Sequence, residues 1–215
     1  MPAAVLADMI GSRLLEDRPR AQRDLDEAIA HVGRDLPVAL QPLKPTVGDE
    51  QQGVYPTLES AMASLLLLRL ALPEGLDLRF GIGLGDVGVI AAAGGAIPDG
   101  PGWWAARDAI DVVHDLQKRT APSARTWVVA GPGEDAPMPS VVQLANAYLL
   151  ARDHVVGAMS ARARRLTYGR CLGVTQSDLA RAEGITQSAV SQTLGSAGAH
   201  AIVEGFALIT AGGEA

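Results

Sequence analysis

Residues 76–92 read Leu76-Asp77-Leu78-Arg79-Phe80-Gly81-Ile82-Gly83-Leu84-Gly85-Asp86-Val87-Gly88-Val89-Ile90-Ala91-Ala92. From Leu76 to Leu84 large apolar residues alternate with other types, the two-residue period of a strand with one buried face. Val87 to Ala92 is a second apolar run, and the Gly85-Asp86 break predicts a hairpin between the two. Downstream, Gly94 to Gly102 is rich in Gly and Pro and leads into a helix over Trp103 to Arg119. Trp127 to Ala130 reads as one more strand. Upstream, Thr57 is a helix N-cap ahead of Ser60 to Leu72. Val38 to Val47 and Gln51 to Tyr55 read as paired strands around Gly48-Asp49-Glu50. Arg18 to Val32 has helical spacing, with Leu25, Ile29 and Val32 on one face. Ala3 to Ala7 is a short apolar strand ending at Asp8. The mixture of strands and helices predicts an α+β domain over residues 1–132. Gly81-x-Gly83-x-Gly85 is a weak match to a dinucleotide fingerprint, because no helix opens directly after it and the third glycine is misplaced.

Gly131 to Pro139 holds two Gly and three Pro in nine residues and reads as a linker. Beyond it, residues 139–215 read as helix throughout: Val141 to Met159, Ser160 to Leu166, and a pair within Thr175–Leu194, TQSDLARAEGITQSAVSQTL. Thr175 and Thr186 are N-cap residues of two short helices. Ala180 is small where they cross, Gly184 supplies a left-handed turn, and Ile185, Val190 and Leu194 face inward. That spacing is the helix-turn-helix pattern. It places Gln187, Ser188, Ser191 and Gln192 on the exposed face of the second helix, for the major groove. Thr175, Gln176, Arg181 and Thr186 flank them as further DNA contacts, and Arg162, Arg164, Arg165 and Arg170 would reach phosphates. The same residues also fit an ordinary helical hairpin with a solvated polar face. Helix-turn-helix proteins generally bind double-stranded DNA as dimers, so a homodimer is expected, with the helix from Val141 (Leu144, Leu149, Val155) as connector or dimer face.

Composition sets outer limits. Hydrophobic residues make up 48% and charged residues 20% of the 215 residues, which is globular rather than disordered. A lone Cys171 excludes an internal disulfide and a cysteine-rich zinc site. His114 and His154 stand without ligand-spaced partners and read as structural. The net charge is −6, yet Arg152 to Val203 carries six arginines against three acids (Asp153, Asp178, Glu183), the sign that phosphate contact requires. Met1 to Asp8 has no basic start ahead of a long apolar stretch, and the apolar run Ala61–Leu72 is broken by Ser64 and Arg69. Neither a signal peptide nor a membrane span is expected, and the predicted location is cytoplasmic.

Three segments carry a resemblance. Leu6-Ala7-Asp8-Met9-Ile10-Gly11-Ser12, Val47-Gly48-Asp49-Glu50 and Arg79 to Val87 resemble three successive motifs of class III nucleotidyl cyclases. With Asp99-Gly100-Pro101 and Trp104-x-x-Arg107 added, the chain resembles the SatD family over residues 3 to 120. The resemblance implies a ferredoxin-like sheet with helices on one face, and matches Asp8 and Asp49 to the cyclase metal aspartates, for Mg²⁺ or Mn²⁺. It matches Arg107 to the cyclase arginine that acts on the triphosphate, and Gly11, Ser12, Arg13, Glu50 and Trp103 join it as candidate ligand contacts. Trp103 stands where cyclases carry an asparagine that serves the ribose. The residues also fit plainer roles: Asp8 as a cap, Asp49 as a hairpin residue, Arg107 in an ion pair with Asp8 or Asp49, and Trp103 and Trp104 in packing.

Together these readings predict a DNA-binding regulator whose N-terminal domain senses a nucleotide with a divalent metal. The alternative is a nucleotidyl cyclase or related transferase with an appended helix-turn-helix, and a third possibility is a cyclase-like domain kept only for dimerisation.

Overall fold

A computed structural model describes residues 1–46, 48–92, 95–133 and 137–211, with side chains except at positions 13, 92, 95 and 96. Its centre is a mixed five-stranded sheet in the order β2-β3-β1-β4-β7, formed by β1 (Ala3–Met9), β2 (Gln41–Pro45), β3 (Glu50–Tyr55), β4 (Leu78–Leu84) and β7 (Thr126–Ala130). β1 runs antiparallel to both β3 and β4, while β7 runs parallel to β4. The fold is therefore α+β with a mixed sheet.

Between the strands lie α1 (Arg18–Asp35), α2 (Leu58–Ala71) and α3 (Pro101–Arg119). They do not share one face as the resemblance implies: α3 packs on Ala4, Leu6 and Val54, and α1 and α2 on the opposite face with Ala3, Val5 and Tyr55. Thr57 does cap α2, in a capping box with Ser60 that satisfies two otherwise unpaired backbone donors. α2 is apolar on all sides, and every residue from Ala61 to Leu70 is buried. A helix of that kind has to be enclosed rather than laid on a surface.

Two expectations need correction. β5 (Gly88–Ala92) does not pair with β4; it pairs with β6 (Gly95–Asp99) as a separate two-stranded ribbon, in the stretch read as a loop. Gly85, at φ 153, turns the chain away from β4 before a hairpin can form on that strand. Asp8 does not follow the first strand either. It lies inside β1, paired with Glu50 on one side and Arg79 on the other. Val47 lies outside the described residues, as do Gly94 and residues 134–136 of the linker.

The remaining helices are α4 (Pro139–Gly157), α5 (Ala161–Cys171), α6 (Gln176–Glu183), α7 (Gln187–Ser196) and α8 (Ala199–Ala211). α5 continues five residues past the expected Leu166. Thr175 and Thr186 cap α6 and α7 by accepting from the backbone N–H groups of Asp178 and Ala189. Gly184 sits at φ 65 between the two helices. One hydrophobic core runs from Val5 and Phe80 through Leu65 and Leu68 to Leu166, Val190 and Phe206. The change from strands to helices near residue 139 thus leaves the core unbroken.

α4 also closes the sheet's outer edge. Asn146 accepts from the Val128 N–H at 2.8 Å and donates to the Val128 carbonyl at 2.9 Å, standing in for a neighbouring strand. Asp153, fully buried, accepts from the N–H groups of Arg125 and Thr126 at 2.7 Å each. Its other oxygen accepts from Arg69 of α2 at 2.7 Å and from Arg152 at 2.8 Å.

Candidate functional site

One face of the sheet is shaped by glycine. A Cβ on Gly83 would stand 1.9 Å from the Gly102 carbonyl oxygen, and one on Gly81 2.2 Å from that of Ala106. Both partners are backbone atoms of α3, so this helix lies directly on β4 because the strand has no side chains there. The glycine pattern is a seat for a helix, not a phosphate cradle. Ala4, Leu6 and Val54 pack under Trp103, Ala106 and Ile110 of α3.

The strand registers carry this face to a polar end. Ala4, Leu6 and Asp8 stand opposite Val54, Gln52 and Glu50 on β3, and opposite Gly83, Gly81 and Arg79 on β4. Directly opposed residues share a face, so Asp8, Glu50 and Arg79 emerge side by side where the apolar packing stops. Arg79 donates to Asp8 Oδ2 at 3.0 Å and to Gln117 of α3 at 2.5 Å. Arg107 of α3 reaches Glu50 Oε2 at 2.6 Å, and Gln52 donates to Glu50 Oε1 at 3.0 Å. In the plainer of its two readings Arg107 pairs with Asp8 or Asp49. Glu50 takes it instead because it heads β3 directly opposite Asp8.

The electrostatics follow from burial. Asp8 is held above the usual carboxylate range chiefly by loss of solvent, which outweighs the neighbouring Arg79, and Asp49 adds further repulsion. Its Oδ1 is buried with no hydrogen-bond partner among the described residues. The Arg107 guanidinium is pushed up by its hydrogen bond to Glu50.

Beside this end opens a cleft of about 340 Å³ lined by Leu6, Gln52, Pro98, Trp103, Trp104 and Arg107. Trp103 is 8% exposed, and its indole N–H is buried without a partner among the described residues. Trp104 is 57% exposed and donates to Asp99 at 3.1 Å. Asp49 lines a different hollow, with Met9, Arg18 and Gln22. Gly11, at φ 69, starts a short 3₁₀ turn over Ser12–Leu14, and Ser12 is buried there. The Arg13 side chain lies outside the described residues. The structure thus brings Asp8, Glu50 and Arg107 to one end of the sheet face, with Asp49 acting on Asp8 as a neighbouring charge, while Trp103 packs with Ala4 and Val54 further along the face. Gly11 and Ser12 line neither hollow. Sequence reasoning missed Arg79 and Gln52, which strand alternation from Gly81 and Glu50 puts on the same face.

Metal fit is partial. Asp8 and Glu50 offer hard oxygen donors on adjacent strands, and the orphaned Asp8 oxygen suits a cation. Among the described residues no three carboxylate, imidazole or thiolate groups converge on one point.

At the other end of the chain, Thr175, Arg181, Thr186, Gln187, Ser188, Ser191 and Gln192 are exposed and Gln176 is half-buried. Several of the cations expected to reach phosphate already have partners. Arg165 forms a two-pronged pair with Glu183 at 2.7 and 2.8 Å, Arg181 bonds Asp178 at 2.9 Å, and Arg170 bonds the Val174 carbonyl at 2.6 Å. His114 and His154 are exposed rather than packed. Among the described residues, no single helix is long and apolar enough to cross a membrane.

Fold and site together define an α+β protein in which a helix seated on a mixed sheet overlooks a cluster of charged strand residues. The sequence profile of the SatD family matches residues 3–128, and the chain belongs to that family. Among solved structures, the guanylate cyclase domain of RhGC from Catenaria anguillulae, in complex with GTP, is 14% identical. That match covers 51% of this chain and 71% of that one at a TM-score of 0.41. A bacterial light-regulated adenylyl cyclase is 12% identical, over 59% and 74% of the two chains, at 0.42. An adenylate/guanylate cyclase/hydrolase from Silicibacter pomeroyi is 25% identical, over 56% and 82%, at 0.35. Curated proteins yield no sequence match.

Proposed function

We propose that the cleft binds a nucleotide together with a divalent cation, and that the protein acts as a nucleotidyl cyclase or related transferase. The observation that carries this reading is the juxtaposition of Asp8 and Glu50, opposed on adjacent strands, with Arg107, which pairs with Glu50 and also lines the cleft walled by Trp103 and Trp104. Aromatic walls accept a base and a guanidinium accepts phosphate. Asp8 and Glu50, with Asp49 next to them, would hold Mg²⁺ or Mn²⁺, which is commonly bound by one or two carboxylates plus the ligand's own phosphates. Such a cation would neutralise phosphate charge. In the free protein Arg107 is occupied by Glu50. A cation that engages Glu50 frees Arg107 for phosphate, so metal and nucleotide should bind with positive coupling. Trp103 tempers turnover: its indole N–H is buried, and an indole cannot accept from a ribose hydroxyl as an asparagine can.

Calorimetric titration with ATP and GTP, with and without Mg²⁺ or Mn²⁺, tests the reading alongside an assay for cyclic product. Metal-dependent binding is expected, lost in Asp8→Asn with Asp49→Asn and weakened at least tenfold in Arg107→Ala; slow product formation completes the case. Absence of any metal-dependent nucleotide binding would refute it.

A second reading, a DNA-binding regulator, is favoured by one observation: α6 and α7, capped by Thr175 and Thr186 and joined through Gly184, present Gln187, Ser188, Ser191 and Gln192 to solvent. We propose that this helix-turn-helix lays α7 in the major groove of double-stranded DNA, in a homodimer. Gln187→Ala with Gln192→Ala should then abolish specific gel retardation while leaving the melting temperature unchanged.

A further inference from the structure

On the sheet face opposite α3, a cavity of about 150 Å³ lies between α1, β2, β3 and α2. Ile29, Val32, Leu43 and Leu68 supply apolar walls, and Tyr55 and Ser64 the side-chain polar atoms. No charged side chain lines it among the described residues. Pro37 and Pro42, which also line it, are exposed and bring its mouth to the surface.

Tyr55 is 3% exposed and Ser64 7%. Their hydroxyls are joined at 3.3 Å, and neither makes another side-chain hydrogen bond among the described residues. Two hydroxyls carry two protons, and one bond between them uses one. A donor is therefore left unspent in an apolar enclosure, which is costly unless something accepts it. A cavity of this volume with aliphatic walls takes a molecule about the size of benzene.

We propose that this cavity binds a small neutral ligand with an apolar body of about one ring and a single hydrogen-bond acceptor, which takes the spare proton of the Tyr55–Ser64 pair. Charged analogues are excluded, since no counter-charge lines the walls. The site is independent of the nucleotide cleft, which lies across the sheet.

Calorimetry and thermal shift with acetophenone, ethylbenzene and benzoate provide the test. Acetophenone should bind the native protein about tenfold tighter than ethylbenzene, the ratio one well-made hydrogen bond supplies, and benzoate should not bind. In Tyr55→Phe with Ser64→Ala, which removes both hydroxyls together, the two neutral probes should bind alike. Ile29→Trp, which fills the space from a half-buried position, should abolish both. The proposal is overturned if the native protein binds neither neutral probe, or binds them equally. Retention of the preference in the double variant, or of binding in Ile29→Trp, overturns it too. Should the double variant fail to fold, the native preference and the Ile29→Trp result still decide.

Discussion

At the scale of single residues, Gly83 shows how little latitude the site has. A methyl group there meets two backbone atoms of α3, at 1.9 and 2.3 Å, which no rotamer change can relieve. Gly83→Ala should cost about 3 kcal/mol, lowering Tm by roughly 6–12 °C in a thermal melt. Gly33→Ala, in α1 with nothing within 4 Å, should instead stabilise by about 0.5–1 kcal/mol. Asp8 gives a pH signature. Burial raises its carboxyl above the ordinary 3.8, so the folded state holds that proton more tightly than the unfolded chain. Its contribution is present at acid pH and lost as pH rises through the raised value. Urea denaturation of native protein and Asp8→Asn should show a gap in favour of the variant that widens as pH rises above the ordinary carboxylate value. The resemblance singled out Asp8 and Arg107, but the Arg107–Glu50 pair was not legible, because register decides it and a strand boundary read two residues off hides it.

Among elements, α2 and α4 show where sequence runs out. Thr57 announced the start of α2. Ser64 and Arg69, which interrupt its apolar run, read as flaws; the structure spends Ser64 on Tyr55 and Arg69 on Asp153, 84 residues away. No local pattern reports a partner at that distance. Asp153 is the shared acceptor of two buried guanidiniums and the two backbone N–H groups at the start of β7, and burial lowers the Arg69 guanidinium from its usual range. Removing that charge leaves two arginines uncompensated, so Asp153→Asn should destabilise by about 3–5 kcal/mol in chemical denaturation. The β5–β6 ribbon was misread for a different reason: Val87 to Ala92 has strand character, but the alternation of residues cannot say which strand it joins.

In the whole molecule, the charged end of the sheet and α7 belong to bodies that share one interior. Far-UV circular dichroism and Trp fluorescence should therefore report a single coincident unfolding transition; two separated transitions would mean that the core is divided. The overall α+β character was legible from alternating strands and helices, while the shared interior was not, since composition gives no sign of which helix face meets which. The family match ends at residue 128, ahead of α4, yet α2 is apolar all round. A related chain that stopped there would expose a greasy flank of α2 to water. Any member of the family lacking that part would have to exchange some of those leucines for polar residues or recruit other cover, such as a lid of its own or a sister subunit. Counting leucines in α2 should thus foretell, from sequence alone, which relatives carry a helical tail.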